Sequence, residues 1–322
     1  VNARIGISKF PDDSEDVESL IKFADIAMLN AKTKGKGKIC FYEKEMSKEI
    51  EINFQITNCL TSAISNNELS IHYQPIYDLH NKNTLISAEA LLRWKNPILG
   101  HIPPNKFIPL AEKTGHIFPI GEWVLNQVCK QISLWKNKYY VVPPIAINIS
   151  VKQLEESEFH KMVKSILIKY NVNPSNIELE ITESVSSGDT LTIVKNLKEL
   201  KRIGIKISMD DFGTGFSSLS QLDLFELDKL KIDKIFIDDL VTVSKRQGLV
   251  KSIISMAKSL NLMVVAEGIE THEQLSYLRK YGCHYGQGYL FSKPLPVEDF
   301  EKLLLQFSSQ TLAMYKNYGE KR

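Results

Sequence analysis

The sequence predicts an α/β fold, a (β/α)8 barrel of the TIM type behind a truncated α+β segment, and three observations predict it. Strand and helix patterns alternate through most of the chain, the signature of a sheet built from βα units. Eight strand candidates fall within about 250 residues, the usual size of a closed eight-stranded α/β barrel. Inside those strands, apolar residues alternate with acidic, amide and lysine side chains, so each strand has one face for packed helices and one for a polar interior.

Ahead of the barrel, residues 2–8 read as a short strand. Pro11-Asp12-Asp13-Ser14 supplies turn and cap chemistry, and Val17, Leu20, Ile21, Ala24, Ala27, Met28 and Ala31 then recur at helical spacing. The basic tract Lys34-Gly35-Lys36-Gly37 reads as a solvated hairpin leading into a strand at Ile39–Tyr42. A second helix is predicted over Ser47–Ile64, with Ile52, Ile56, Cys59, Leu60 and Ile64 on one stripe. The expected division is residues 1–46 as a domain fragment, 47–64 as a linker helix, 65–310 as the barrel domain and 311–322 as a tail. So short a first segment is small for an independent core. With Val1 rather than Met at its start, the chain is expected to be a piece of a longer protein.

The barrel strands are expected at Leu69–Tyr77, Leu85–Trp94, Ile145–Ser150, Ile177–Thr182, Lys206–Asp211, Lys229–Asp233, Leu262–Glu267 and Gly286–Phe291. In Ile145-Ala146-Ile147-Asn148-Ile149-Ser150 the isoleucines share the outer face and Asn148 the inner one. The same parity sends Ile177, Leu179 and Ile181 outward and Glu180 inward, Met209 outward and Asp210 inward, and Ile232 outward and Lys231 inward. Polar residues near the C-terminal ends of several strands therefore converge on one mouth, where barrel active sites are built.

Composition narrows the function classes. The 322 residues are 43% hydrophobic and 24% charged, a globular balance. Lys plus Arg number 40 against 38 Asp plus Glu, a net charge of +2 that offers no bulk grip on long nucleic acid. The four cysteines are scattered without C-x-x-C spacing, which indicates neither a zinc knuckle nor a disulfide scaffold and fits a reducing compartment. With no apolar run near the roughly 18 residues of a membrane span and no signal-peptide pattern, a cytoplasmic location is expected, any anchor lying upstream.

Glu89, Asn148, Glu180, Asp210, Asp211 and Glu267 offer five carboxylates and an amide oxygen, a donor set suited to hard cations such as Mg²⁺ or Mn²⁺. Packed in one lumen, these carboxylates repel one another unless cations neutralise them. In the adjacent pair Asp210-Asp211, the first can bridge two metals and the second bind one. Two cations about 4 Å apart form the clamp used in phosphoester hydrolysis. Lys231 adds a positive donor able to orient water or neutralise charge in the transition state. Other motifs carry less. Gly213 and Gly215 lack a following Walker Lys-Ser/Thr, Ser276 stands where a zinc-protease helix beginning at His272-Glu273 would need its second His, and no Gly-x-Ser-x-Gly elbow is present.

Tyr73-Gln74-Pro75 and Glu89-Ala90-Leu91-Leu92-Arg93-Trp94 closely resemble the signature of EAL-domain cyclic-di-GMP phosphodiesterases. The likeness continues through Phe107 to Glu112, Asn148-Ile149-Ser150, Glu178 to Glu183, Asp210 to Gly215, Lys231-Ile232-Asp233, Ala266 to Glu270 and Gln287-Gly288-Tyr289, covering nearly all of Leu60 to Leu305. It implies a barrel whose first strand is antiparallel, and hydrolysis of cyclic di-GMP to linear pGpG with two divalent cations, Mg²⁺ or Mn²⁺. It implies Glu89, Asn148, Glu180 and Asp210 as ligands of one metal, with Asp210 shared, Asp211 on the second and Glu267 binding there or serving as the base. Lys231 would hold the catalytic water, Glu183 would anchor the loop from Asp211 to Ser218, Gln74 and Arg93 would contact the dinucleotide, and Gln287 would lie at its site. The resemblance also implies a homodimer through the helix near the Asp210 loop.

Ser8 to Asp13 and Ala24-Asp25-Ile26-Ala27-Met28, with Ala31-Lys32, resemble the last part of a GGDEF diguanylate cyclase domain, whose diagnostic loop is not in this sequence. An upstream GGDEF and a sensor domain are expected in the full-length protein. One departure from the family pattern is Glu226, where proline is usual, which bears on the rigidity of the loop before Lys231. The competing readings are a receptor that binds cyclic di-GMP without turnover, and a protein-interaction module.

Overall fold

The computed structural model describes residues 3–33, 35, 37–81, 84–139, 141–183, 189–213 and 224–307. Its N-terminal part pairs β1 (Ile5–Ile7) in parallel with β2 (Ile39–Phe41), and α1 (Val17–Thr33) crosses between them. Asp16 starts α1 by accepting the Ser19 backbone N–H at 2.8 Å. Ile26, Ala27, Ala31, Cys40, Tyr42 and Met46 form a small core of their own, with Phe23 stacked on Tyr42 at 4.2 Å between ring centroids. Among the described residues the first strand is shorter than the expected 2–8, because only Ile5–Ile7 find partners on β2; residue 2 lies outside the described residues.

Helix α2 (Lys44–Leu60) begins and ends earlier than the predicted Ser47–Ile64, giving way to turns after Leu60. It carries Met46 into the small core and Ile56 and Leu60 into the large one.

The large core surrounds eight strands: β3 (Leu69–Asp78), β4 (Leu85–Asn96), β6 (Ile145–Ile149), β7 (Ile177–Thr182), β8 (Lys206–Phe212), β9 (Lys229–Ile232), β10 (Met263–Ala266) and β11 (Tyr285–Gly286). They hydrogen-bond in that order, and β3 returns to β11 to close the barrel. β3 is antiparallel to both neighbours, and the other successive pairs from β4 to β11 are parallel. The short β5 (Gly100–Ile102) folds back on the end of β4. Helices α3 (Pro104–Thr114), α4 (Ile117–Lys138), α5 (Val151–Leu154), α6 (Phe159–Lys169), α7 (Thr190–Arg202), α8 (Lys234–Asp238), α9 (Ser244–Ser259), α10 (His272–Lys280) and α11 (residues 297–307) complete it.

The last strand is a correction. Gly286–Phe291 was expected, but pairing stops at Gly286 and residues 288–291 turn. Gly288 has φ +156°, and a Cβ there would lie 2.2 Å from the Ile269 backbone, so only glycine permits this close approach. The outward isoleucines behave as their parity requires: Ile145, Ile147, Ile177, Leu179 and Ile181 are buried against helices.

Alternate strands stock the interior in layers. Register and parity place Gln74, Asn148, Asp210 and Glu267 nearest the mouth, then Glu89, Glu180, Lys231 and Gln287. Ser208 lies with Ala146 and Val265 beneath, and Ser87, Glu178, Lys229 and Tyr285 lie deeper. In that last layer Glu178 and Lys229 make a buried ion pair at 2.5 Å. Among the described residues no helix is long and apolar enough to cross a membrane.

Candidate active site

Lys231 is the hub of the mouth. Its side chain is 1% exposed, and its Nζ lies 2.7 Å from Glu267, 2.9 Å from Glu180, 3.2 Å from Asp210 and 3.4 Å from Glu89. Four strands thus aim carboxylates at one ammonium. Asn148 donates its amide to Glu89 Oε1 at 2.7 Å, and Gln287 Nε2 donates to Glu89 Oε2 at 2.8 Å and Glu267 Oε1 at 3.0 Å. Asp211 has φ +55°, a conformation uncommon outside glycine, and its N–H donates to Asp210 Oδ1 at 2.9 Å.

One positive charge cannot satisfy this many carboxylates, and their proton affinities show it. Burial, together with the Glu89 charge, lifts Glu180 well above its ordinary range. Burial raises Asp210, pushes Glu267 up to about 8 against the pull of Lys231, and with the Asp210 charge pushes Asp211 to about 7. Glu89 moves the other way: burial raises it, but Lys231 and the amides of Gln287 and Asn148 outweigh that and lower it. Burial opposes the charge on Lys231, yet Asp210, Glu180, Glu267 and Glu89 outweigh burial and raise it far above the usual lysine range. The lumen is short of positive charge.

The residues fit divalent cations. Oxygens of Glu89, Glu180 and Asp210 all lie within 4.8 Å of one another, as do those of Asp210, Asp211 and Glu267, so the two groups share Asp210. Glu180 Oε1 is buried with no hydrogen-bond partner, an orphan that a cation would satisfy. Every donor is a carboxylate or amide oxygen, the chemistry preferred by Mg²⁺ and Mn²⁺.

The remaining candidates divide. Glu183 Oε2 accepts the Gly213 N–H at 3.0 Å; residues 214–218 of the loop it was expected to anchor lie outside the described residues. Gln74 stands opposite Glu89 in the β3/β4 register, but its amide nitrogen donates to the Ser292 carbonyl at 3.2 Å. Gln287 likewise has its amide nitrogen committed to the carboxylates. Arg93 sits half-buried higher on β4, at the wall of a cavity of about 370 Å³ between the barrel and helices α3 and α4. Asn148, Thr182, Ile108 and Ile120 also line it. Sequence reasoning gave no role to Glu112 on the same wall, held by the Ser150 hydroxyl at 2.6 Å; they are 38 positions apart, and no spacing rule links them.

Fold and mouth together define an α/β-barrel protein with a carboxylate-lined centre at the C-terminal ends of its strands. The family model described as the EAL domain matches residues 57–294, and the chain belongs to that family. It is 39% identical over 298 residues to the bifunctional diguanylate cyclase/cyclic di-GMP phosphodiesterase MucR of Pseudomonas aeruginosa, covering 92% of this chain and 43% of that protein. It is 36% identical over 298 residues to the cyclic di-GMP phosphodiesterase PdeR of Escherichia coli, covering 92% and 45%. Among solved structures, the PaMucR phosphodiesterase in complex with c-di-GMP matches with a TM-score of 0.73 and 40% identity, over 76% of this chain and 99% of that one. The chain spans less than half the length of these two full-length relatives.

Proposed function

We propose that this chain hydrolyses cyclic di-GMP to linear pGpG with two divalent cations, Mg²⁺ or Mn²⁺. The observation that carries the reading is the pair of carboxylate groups sharing Asp210 around a buried lysine. Glu89, Asn148, Glu180 and Asp210 would hold one cation, and Asp210, Asp211 and Glu267 the other. When bound, such ions supply charge neutralisation and Lewis-acid polarisation of a phosphoryl oxygen. Asn148 would turn its amide oxygen inward in place of the donor it now offers Glu89. Lys231 Nζ would orient the attacking water, and Glu267, whose Oε1 lies 2.7 Å from that ammonium, would take the proton from it in its carboxylate form. Arg93 would hold a phosphate oxygen at the edge of the cavity. The identities with MucR and PdeR, and the c-di-GMP complex of a 40% identical chain, support the substrate.

The test is incubation of the purified chain with cyclic di-GMP and Mg²⁺ or Mn²⁺, with chromatographic detection of pGpG. Glu89→Ala and Asp210→Ala should abolish product. Lys231→Met should bind substrate but turn it over about 10²–10³ times more slowly, the effect of losing one pre-positioned donor. Tight binding without product from the wild type would overturn the enzyme reading.

The same proposal assigns residues 1–46 to the end of a GGDEF domain, 47–64 to a linker, 65–310 to the EAL domain and 311–322 to a tail. The separate small core around Ala27 and Tyr42 supports the first division. A homodimer through the barrel beside Asp211 is supported by exposed Leu224, Ile235, Val241 and Val243 along the segment after its loop, and sedimentation would test it.

A further inference from the structure

The cavity beside Arg93 is mostly apolar, walled by Ile108, Ile117, Ile120 and Val124, yet it contains a carboxylate. Glu112 Oε1 accepts the Ser150 hydroxyl at 2.6 Å, while its Oε2 makes no hydrogen bond among the described residues. Ser150 is itself fixed: it caps α5, accepting the Lys152 N–H at 3.2 Å, and its own N–H donates to Gln153 Oε1 at 3.1 Å. The plane of the Glu112 carboxylate is therefore set from the end of β6, two residues beyond Asn148. A carboxylate can only accept, so a ligand filling this cavity must bring N–H or O–H donors to it or leave it desolvated and unpaired.

We propose that Glu112 is the specificity-determining residue that selects guanine in the nucleotide substrate. The inference rests on the phosphodiesterase reading, which places a phosphate oxygen on Arg93 at the edge of this cavity and so brings an attached base into it. Guanine presents two adjacent donors, N1–H and N2–H, and a carboxylate receives both, Oε2 taking one and the second lone pair of Oε1 the other. Adenine turns its N1 lone pair toward the same oxygens, which repel it. A bidentate pair of this kind discriminates by about 10- to 100-fold.

The experiment compares kcat/KM for cyclic di-GMP and cyclic di-AMP, using the 322-residue chain with saturating Mn²⁺. Both substrates use one metal centre, so the ratio is insensitive to metal loss or partial unfolding. The wild type should favour cyclic di-GMP. Glu112→Gln should lower the ratio by about 10- to 100-fold, chiefly through a raised KM for cyclic di-GMP, because its amide replaces an acceptor with a donor. Glu112→Asp, which withdraws the carboxylate by one methylene, and Ser150→Ala, which frees its plane, should lower it less. An unchanged ratio in Glu112→Gln, or in Glu112→Asp should the first variant not fold, overturns the proposal. Should the wild type turn over neither compound, the phosphodiesterase reading fails, and calorimetric binding of the two dinucleotides carries the same comparison: equal selectivity in wild type and variant refutes guanine selection, reduced selectivity supports it.

Discussion

Glu267 ties the charge shortage of the lumen to a measurable slope in stability. A glutamate in the unfolded chain releases its proton near pH 4.5, whereas in the metal-free fold Glu267 keeps it to about pH 8. Between those values the folded state binds the extra proton, so stability is fully present below pH 4.5 and falls as pH rises toward 8. One proton corresponds to about 1.4 kcal/mol per pH unit, or about 2.7 kcal/mol from pH 5 to pH 7. Glu267→Gln lacks that proton equilibrium. Urea unfolding in a chelator at three pH values should show wild type losing stability relative to the variant with this slope. Asp211, raised to about 7, acts in the same direction in both proteins, and the difference reports Glu267 together with its coupling to Asp210. Saturating Mn²⁺ at pH 7 should stabilise the wild type and release protons as it binds. Parallel pH profiles for wild type and Glu267→Gln would mean that Glu267 does not hold an extra proton in the folded state.

Two further outcomes concern stability away from the mouth. Lys229→Met strands the buried Glu178 carboxylate and should cost about 3–5 kcal/mol, whereas Lys229→Met with Glu178→Leu should recover most of it, as read by thermal unfolding. Glu226 has φ +49°, which proline cannot adopt, so Glu226→Pro should destabilise by about 3 kcal/mol or more, and Glu226→Gly should gain about 1 kcal/mol by urea midpoint.

Much of the barrel was legible because strand parity is strict. Once Ile145, Ile147 and Ile149 face the helices, Asn148 must face the interior, and the same logic fixed the direction of Glu180, Asp210 and Lys231. What parity cannot carry is strand direction: an alternating run reads the same both ways, so the reversed β3 was available only through the family resemblance. The overshoot at Gly286–Phe291 has a similar cause, since an apolar run reads as a strand whether or not a neighbour remains to pair with it. At the site, the acidic side chains could be named from chemistry, but their convergence on Lys231 is a product of barrel closure. The donor commitments of Gln74 and Gln287 depend on contacts across 218 and 198 positions, beyond any local pattern. At Glu226 the departure was visible in the sequence, and the structure supplies its reason: a left-handed backbone, held by Lys201 donating to the Glu226 carbonyl at 2.6 Å.

Reversing the first strand also changes where the barrel is held. In an all-parallel barrel the first strand starts at the floor, so anything fused ahead of it attaches at the end away from catalysis. Here β3 starts at the rim: Leu69 pairs with Trp94, and Glu68 accepts the Trp94 indole N–H and the Asn96 amide, both at 2.8 Å, on the part of β4 that rises past Glu89. Helix α2 therefore arrives at the carboxylate-lined end and packs on α3, the helix whose other side walls the cavity by Arg93. The handle of this barrel is mounted at its open mouth.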